Sequence, residues 1–247
     1  MSWLGKLRRR RPKPKLRYYV YVSDTKVDML YAQIPSRVRE RLAAELKVDL
    51  KVLALSLSER PDQETRYSKV RLVSDYLVEN ARVGTVEDPA EYFSGAMPMR
   101  WGYLGDRGDL VYFGGRQGDT MVGLGGSARQ VIGEAGSSTP TNSLTIGLVV
   151  ALRGEVMLEE GELDEVDAES ENRLMGTTSM IVTGMSGATS RMAGPEERLE
   201  FLARRLLFDD REEEPTRMLL GTPIYVALAD VPAVTAGGRG TRAGPTG

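Results

Sequence analysis

Three charged side chains, Asp24, Lys26 and Asp28, interrupt an apolar and aromatic run in the stretch YYVYVSDTKVDMLYAQIP, residues 18–35. In an extended segment successive side chains alternate, so these three would share one face. Two carboxylates flanking an ammonium can bind Mg²⁺, a ribose or a cationic partner. The lysine opposes a metal unless it points away, which favours a ligand contact over a metal site. Ser23 and Asp24 suit an ordinary polar turn equally well.

A second cluster lies about a hundred residues on. Gly123-Leu-Gly-Gly-Ser-Ala-Arg-Gln-Val-Ile-Gly133 follows a predicted strand, and Gly125-Gly126-Ser127 is expected to open a short helix through Ile132. Free amides and the dipole at a helix start attract anions. Ser127 can cap that helix or donate to a phosphate, and Arg129 can neutralise charge. The cluster lacks the Gly-Lys-Ser/Thr of a P-loop and does not sit in a β-α-β unit. Glycines also serve tight turns that hold no ligand. The expected ligand-binding site joins both segments: Ser23, Asp24, Lys26, Asp28, Gly125, Gly126, Ser127 and Arg129. It requires a fold that brings them together.

Composition narrows the chemistry. The chain has no histidine and no cysteine, which excludes a Ser-His-Asp triad, a His-Glu-x-x-His zinc site, thiolate metal sites and cysteine nucleophiles. An enzyme would have to use carboxylates, lysine, tyrosine, arginine or a carboxylate-held Mg²⁺. No catalytic residue, metal ligand or cofactor is therefore assigned. The expectation is a non-catalytic ligand- or partner-binding protein, a sensor or adaptor. The alternative is a carboxylate- or Mg²⁺-dependent enzyme acting on a nucleotide-like substrate, and a membrane-acting effector ranks third.

Charge is distributed unevenly. Residues 1–17 hold eight basic side chains and no acid; the other 230 residues carry 25 basic against 35 acidic groups, a balance of −10. An acidic body argues against a broad nucleic-acid face. The arm MSWLGKLRRRRPKPK is expected to be disordered, since like charges repel and Pro12 and Pro14 favour extended backbone. Trp3, Leu4 and Arg8, Arg9, Arg10 and Arg11 offer a weak foot on an anionic membrane; the arm could instead touch RNA or simply solubilise the terminus. It has no run of signal-peptide length, so the expected location is cytoplasmic, with peripheral membrane contact through the arm.

These residues need elements to hold them. Leu16–Val22 reads as a buried strand. Val27–Ile34 reads as a second short strand or a turn into a helix. Residues 36–47 form an amphipathic helix, Val48–Leu57 a strand, and Thr65–Ala81 a helix burying Val70, Val73 and Leu77. Met99–Leu104, Leu110–Phe113 and Thr120–Leu124 are short strands of an antiparallel meander. Leu144–Leu152 leans to helix. Residues 155–171 hold nine acids and no base and read as an exposed loop, and residues 174–190 carry no charge. Met175, Met180, Met185 and Met192 suit core packing or an adaptable surface. Pro195-Glu196-Glu197 opens an expected helix with a Leu199, Leu202, Leu206 stripe, and Thr222–Ala229 is a closing strand. The resulting fold class is α+β: a largely antiparallel central sheet with flanking helices, divided into a disordered basic arm (1–15), a single domain (16–231) and a flexible tail (232–247).

The order Tyr-Val-Ser-Asp-x-Lys-Val-Asp-Met-Leu-Tyr-x-Gln-Ile-Pro (residues 21–35), with Val111-Tyr-Phe-Gly-Gly115 and Leu124-Gly-Gly-Ser-Ala-x-x-Val-Ile-Gly133, resembles an uncharacterised actinobacterial family. That family is associated with predicted conflict systems carrying caspase-like and tetratricopeptide-repeat proteins. The resemblance spans about residues 17–230. It implies no activity and no catalytic residues, and it favours a sensor or adaptor.

Overall fold

The computed structural model describes residues 17–51, 65–105, 108–133, 148, 151–152, 178–210 and 217–229. The expected arm, acidic run and tail, and Met175, lie outside these residues. The elements are β1 (Tyr18–Val22), α1 (Asp24–Gln33), α2 (Ser36–Lys51), α3 (Arg66–Asn80), β2 (Val83–Gly84), β3 (Tyr92–Leu104), β4 (Leu110–Gln117) and β5 (Thr120–Ser127). A 3₁₀ turn (Ala128–Gln130), α4 (Thr178–Arg191), β6 (Glu197–Asp210) and β7 (Arg217–Leu228) follow.

Strands β3, β4 and β5 form the expected meander, turning at Gly105, Gly108 and Gly118, whose φ angles are positive. The sheet then closes. β5 pairs with β7 in parallel, while β7 pairs with β6 and β6 with β3, both antiparallel. The result is a small barrel in a mixed, largely antiparallel sheet with flanking helices, an α+β fold. β1 adds to the C-terminal half of β7, and β2 adds in parallel to the start of β3.

Alternation explains the closure. Phe93, Met97 and Met99 of β3, Val111 and Phe113 of β4, Val122 and Leu124 of β5, and Leu199, Phe201 and Ala203 of β6 all point into one core. Each fully buried Phe or Leu there contributes about 2 kcal/mol. The interior is so narrow that Gly221 is required: a Cβ on it would lie 2.7 Å from the Phe93 ring. Outside the ring, α1 and α3 cover β1 and β7 through Val27, Val70, Val73, Leu77 and Ile224. α4 covers a second outer face with Ile181, Met185 and Ala188, joined by Met192 just past its end, so Met185 and Met192 are core.

Three expectations change. The segment from Glu197 is a strand, not a helix. Leu199, Leu202 and Leu206 fit a helical stripe, yet Leu199, Phe201 and Ala203 fit a strand equally, and two open neighbours, β3 and β7, decide in favour of pairing. Val48–Lys51 continues α2 rather than starting a strand; residues 52–57 lie outside the described residues. Of the two readings for the segment after Ser23 the helical one holds, as α1, so the extended backbone that would put Asp24, Lys26 and Asp28 on one face is replaced. Where residues 144–152 are described, at Leu148, Ala151 and Leu152, they are helical as expected. Among the described residues no helix is long and apolar enough to cross a membrane.

Candidate functional site at the strand-to-helix seam

The last residues of β1 are fully buried, and the chain turns directly from strand into helix at Ser23. The Ser23 amide donates to the Ile224 carbonyl of β7 at 2.9 Å, and the Val27 amide to the Ser23 carbonyl at 2.9 Å, which starts α1. Ser23 stands at the N-cap with extended backbone, yet its hydroxyl makes no capping bond. It is only 4% exposed.

The two sequence clusters meet here. Tyr21 bridges to Val131, and the Ile132 amide donates to the Val20 carbonyl at 2.8 Å. The Gln130 side-chain oxygen accepts from the Asp24 amide at 2.8 Å, satisfying one of the free donors of the helix start. Gly126 has no side chain because the Tyr21 ring lies against it; a Cβ there would sit 2.7 Å from the ring carbon that carries the hydroxyl.

Their roles differ from those expected. Gly125 and Gly126 are buried strand residues paired with Tyr112 and Val111, so no helix start and no anion cradle forms at them. Gly125 packs under Leu148. Ser127 ends β5 without making a capping bond, and Arg129 lies exposed in a 3₁₀ turn only three residues long. The strand runs on because β4 remains available to pair with it through Ser127.

Helical geometry also divides the three charges. Asp24 and Asp28, four residues apart, share a face and meet α3: Asp24 pairs with Arg66 at 2.6 Å and Asp28 with Lys69 at 2.8 Å. Arg66 also donates to the Val22 carbonyl at 2.8 Å. Lys26, two positions from either aspartate, turns away from them. Its ammonium donates to the Pro223 carbonyl of β7 at 3.2 Å and to the Ser23 hydroxyl at 3.4 Å. Burial lowers it from the usual lysine range to about 8. Burial also raises the neighbouring Tyr21 phenol to about 12, so it stays protonated.

Residues 17–230 match the family model described as a family of unknown function, DUF7019. The chain belongs to that family. No curated protein and no solved structure matches it.

What this DUF7019 chain presents at the seam is therefore an amine whose acceptors among the described residues are neutral, a buried hydroxyl and a protonated phenol. The carboxylates are tied to α3 by ion pairs. Among the described residues no group of three carboxylates could hold a metal ion. Sequence reasoning missed Tyr21, Arg66 and Gln130. No local spacing encodes the contacts of Arg66 and Gln130; for the pairing of Ser23 with Lys26 the available signal was their three-residue spacing, which places a hydroxyl and an amine on one turn if the segment is helical. A second concavity, about 400 Å³, lies between the end of β3 and the end of α4. It is lined by Trp101, Tyr103, Arg191 and Met192.

Proposed function

We propose that this DUF7019 protein is a ligand-binding protein, a sensor or adaptor, whose ligand docks where β1 turns into α1 and presents an acceptor or anionic group to Lys26. The observation that carries this reading is the Lys26 ammonium, desolvated beside Ser23 and Pro223 with no carboxylate partner among the described residues. A partly buried cation without a counter-charge among the described residues carries a desolvation cost, and a bound anion would offset it. Asp24 and Asp28 are already neutralised by Arg66 and Lys69, which favours this reading over a Mg²⁺-dependent enzyme. Placement in a conflict system is supported by the opening-motif resemblance alone.

The test is a thermal-shift screen of wild type and Lys26→Met against acetate, phosphate and nucleotides, with and without Mg²⁺. An anion should raise the melting temperature of wild type, independently of Mg²⁺, and leave Lys26→Met unmoved. No shift with any probe, or equal shifts in both proteins, would overturn the reading.

A second reading places the ligand in the groove beside Trp101. The exposed Tyr103 ring packs edge-on against Trp101, with ring centroids 6.4 Å apart, and this offers a platform for a planar group. Quenching of Trp101 fluorescence in a Trp3→Phe background by a probe that ignores Lys26→Met would favour it.

A further inference from the structure

We propose that Ser23 and Lys26 are a nucleophile and its base, with Tyr21 beside them, and that Ser23 takes an acyl group from an activated ester or strained amide bound at the seam. The inference rests on the docking reading above and names the class of compound docked.

The geometry supplies the parts that serine acylation needs. Ser23 sits at a strand-to-helix turn, its backbone amide bonded to β7 and its carbonyl to α1. Its Oγ is free of helix capping and lies 3.4 Å from Lys26 Nζ, one helical turn on. Ser-x-x-Lys on a helix start is a recurrent solution to pairing a serine with an amine base when no histidine is present, and this chain has none. The Pro223 carbonyl holds Nζ in place from the β7 side. Tyr21 approaches from β1; its hydroxyl is close enough to Ser23 to feel it electrostatically but is buried with no hydrogen-bond partner among the described residues. Thr25, exposed, and Asp24, half-buried, form the solvent side of the turn.

Protonation fits the assignment. With Lys26 near 8, about a tenth of it is free amine at pH 7, a useful population for a general base. The shift comes from burial alone, so neither Asp24, paired to Arg66, nor Arg129 alters it. Tyr21 is protonated throughout this range and acts only as a donor.

The step balances without a co-reactant. Ser23 Oγ bonds to the acyl carbon while Lys26 Nζ takes the hydroxyl proton. The bond from the acyl carbon to the leaving group breaks, and the proton passes from Lys26 to the departing oxygen or nitrogen. The products are O-acyl-Ser23 and the protonated leaving group.

The experiment treats the full chain with p-nitrophenyl acetate, and separately with a fluorophosphonate, followed by intact-mass analysis and peptide mapping. One adduct on Ser23 is expected, absent in Ser23→Ala and formed about tenfold or more slowly in Lys26→Arg at pH 7. The wild-type rate should rise as Lys26 loses its proton. Should Ser23→Ala fold poorly, Ser23→Cys provides the only thiol in the chain, and iodoacetamide should alkylate it faster than it alkylates the Ser23→Cys/Lys26→Met double variant. Modification confined to lysines, or equal rates with and without Lys26, would overturn the proposal. If acetate or phosphate shifts the wild-type melting temperature while no Ser23 adduct forms, acylation falls and docking stands. If neither occurs, both fall.

Discussion

Replacing Lys26 by methionine should stabilise the protein at pH 7 and destabilise it at pH 10.5. The folded-state lysine titrates near 8 instead of its ordinary 10.5. Below 8 it is protonated in both states, and the folded state carries the desolvation cost. Between 8 and 10.5 the unfolded chain binds a proton that the folded chain lacks, so stability rises with pH across that window. The difference of about 2.5 units sets a ceiling near 3 kcal/mol on the cost at neutral pH. Methionine removes that cost but also removes two long hydrogen bonds, at 3.2 and 3.4 Å, worth about 1 kcal/mol together. The net expectation is a gain of up to about 2 kcal/mol at pH 7 and a loss of about 1 kcal/mol at pH 10.5. Urea unfolding of both proteins at each pH measures this, because other titrating groups are common to the two and cancel. A difference that does not change with pH, or a variant less stable at pH 7, would refute the burial argument for Lys26.

Gly126→Ala should lower stability by about 1–3 kcal/mol in urea unfolding, since the new Cβ displaces the buried Tyr21 ring. Asp24→Asn and Asp28→Asn should each cost less than about 1 kcal/mol by the same assay, because both ion pairs are well exposed to solvent. Tyr21, Tyr112 and Tyr225 are all raised by burial above the ordinary tyrosine value of 10. Their contribution is intact below pH 10 and is lost progressively as the pH rises from 10 through their higher folded-state values, about 12 for Tyr21 and Tyr225, so alkaline unfolding should coincide with tyrosinate absorbance. Deleting residues 1–15 should leave the melting temperature within a few degrees, because Arg17, which remains, supplies the contacts to Glu200 and the Tyr225 ring.

Local pattern was a good guide where neighbours in sequence are neighbours in space. The β3–β4–β5 meander was legible because its strands are consecutive and joined by turns with glycine at positive φ. Helix α3 was legible from the spacing of Val70, Val73 and Leu77, with Thr65 capping the Ser68 amide. β6 was not, since its apolar residues satisfy both periods and only its two partners settle the choice. At the seam the two sequence segments meet through Asp24 and Gln130, but Gly125 lies inside a strand and the helix starts at Asp24. That exchange turned Asp24 and Asp28 toward α3 and left Lys26 with Ser23. The contacts of Gln130 and Pro223 depend on chain segments far apart, and no local spacing encodes them.

The position of β7 sets the order in which the molecule can be built. It pairs with β1, β5 and β6, and Tyr18 of β1 lies opposite Leu228 at its far end. During synthesis the meander and the α1–α3 contact can form early, but the ring cannot close until β7 has left the ribosome. At about 5–20 residues per second, β1 waits for its partner for roughly ten to forty seconds. Throughout that interval Ser23 lacks the Ile224 carbonyl and Lys26 lacks the Pro223 carbonyl. A nascent or prematurely terminated chain therefore has every seam residue except those of β7 and no assembled seam, so the topology keeps that chemistry from appearing before the whole barrel exists.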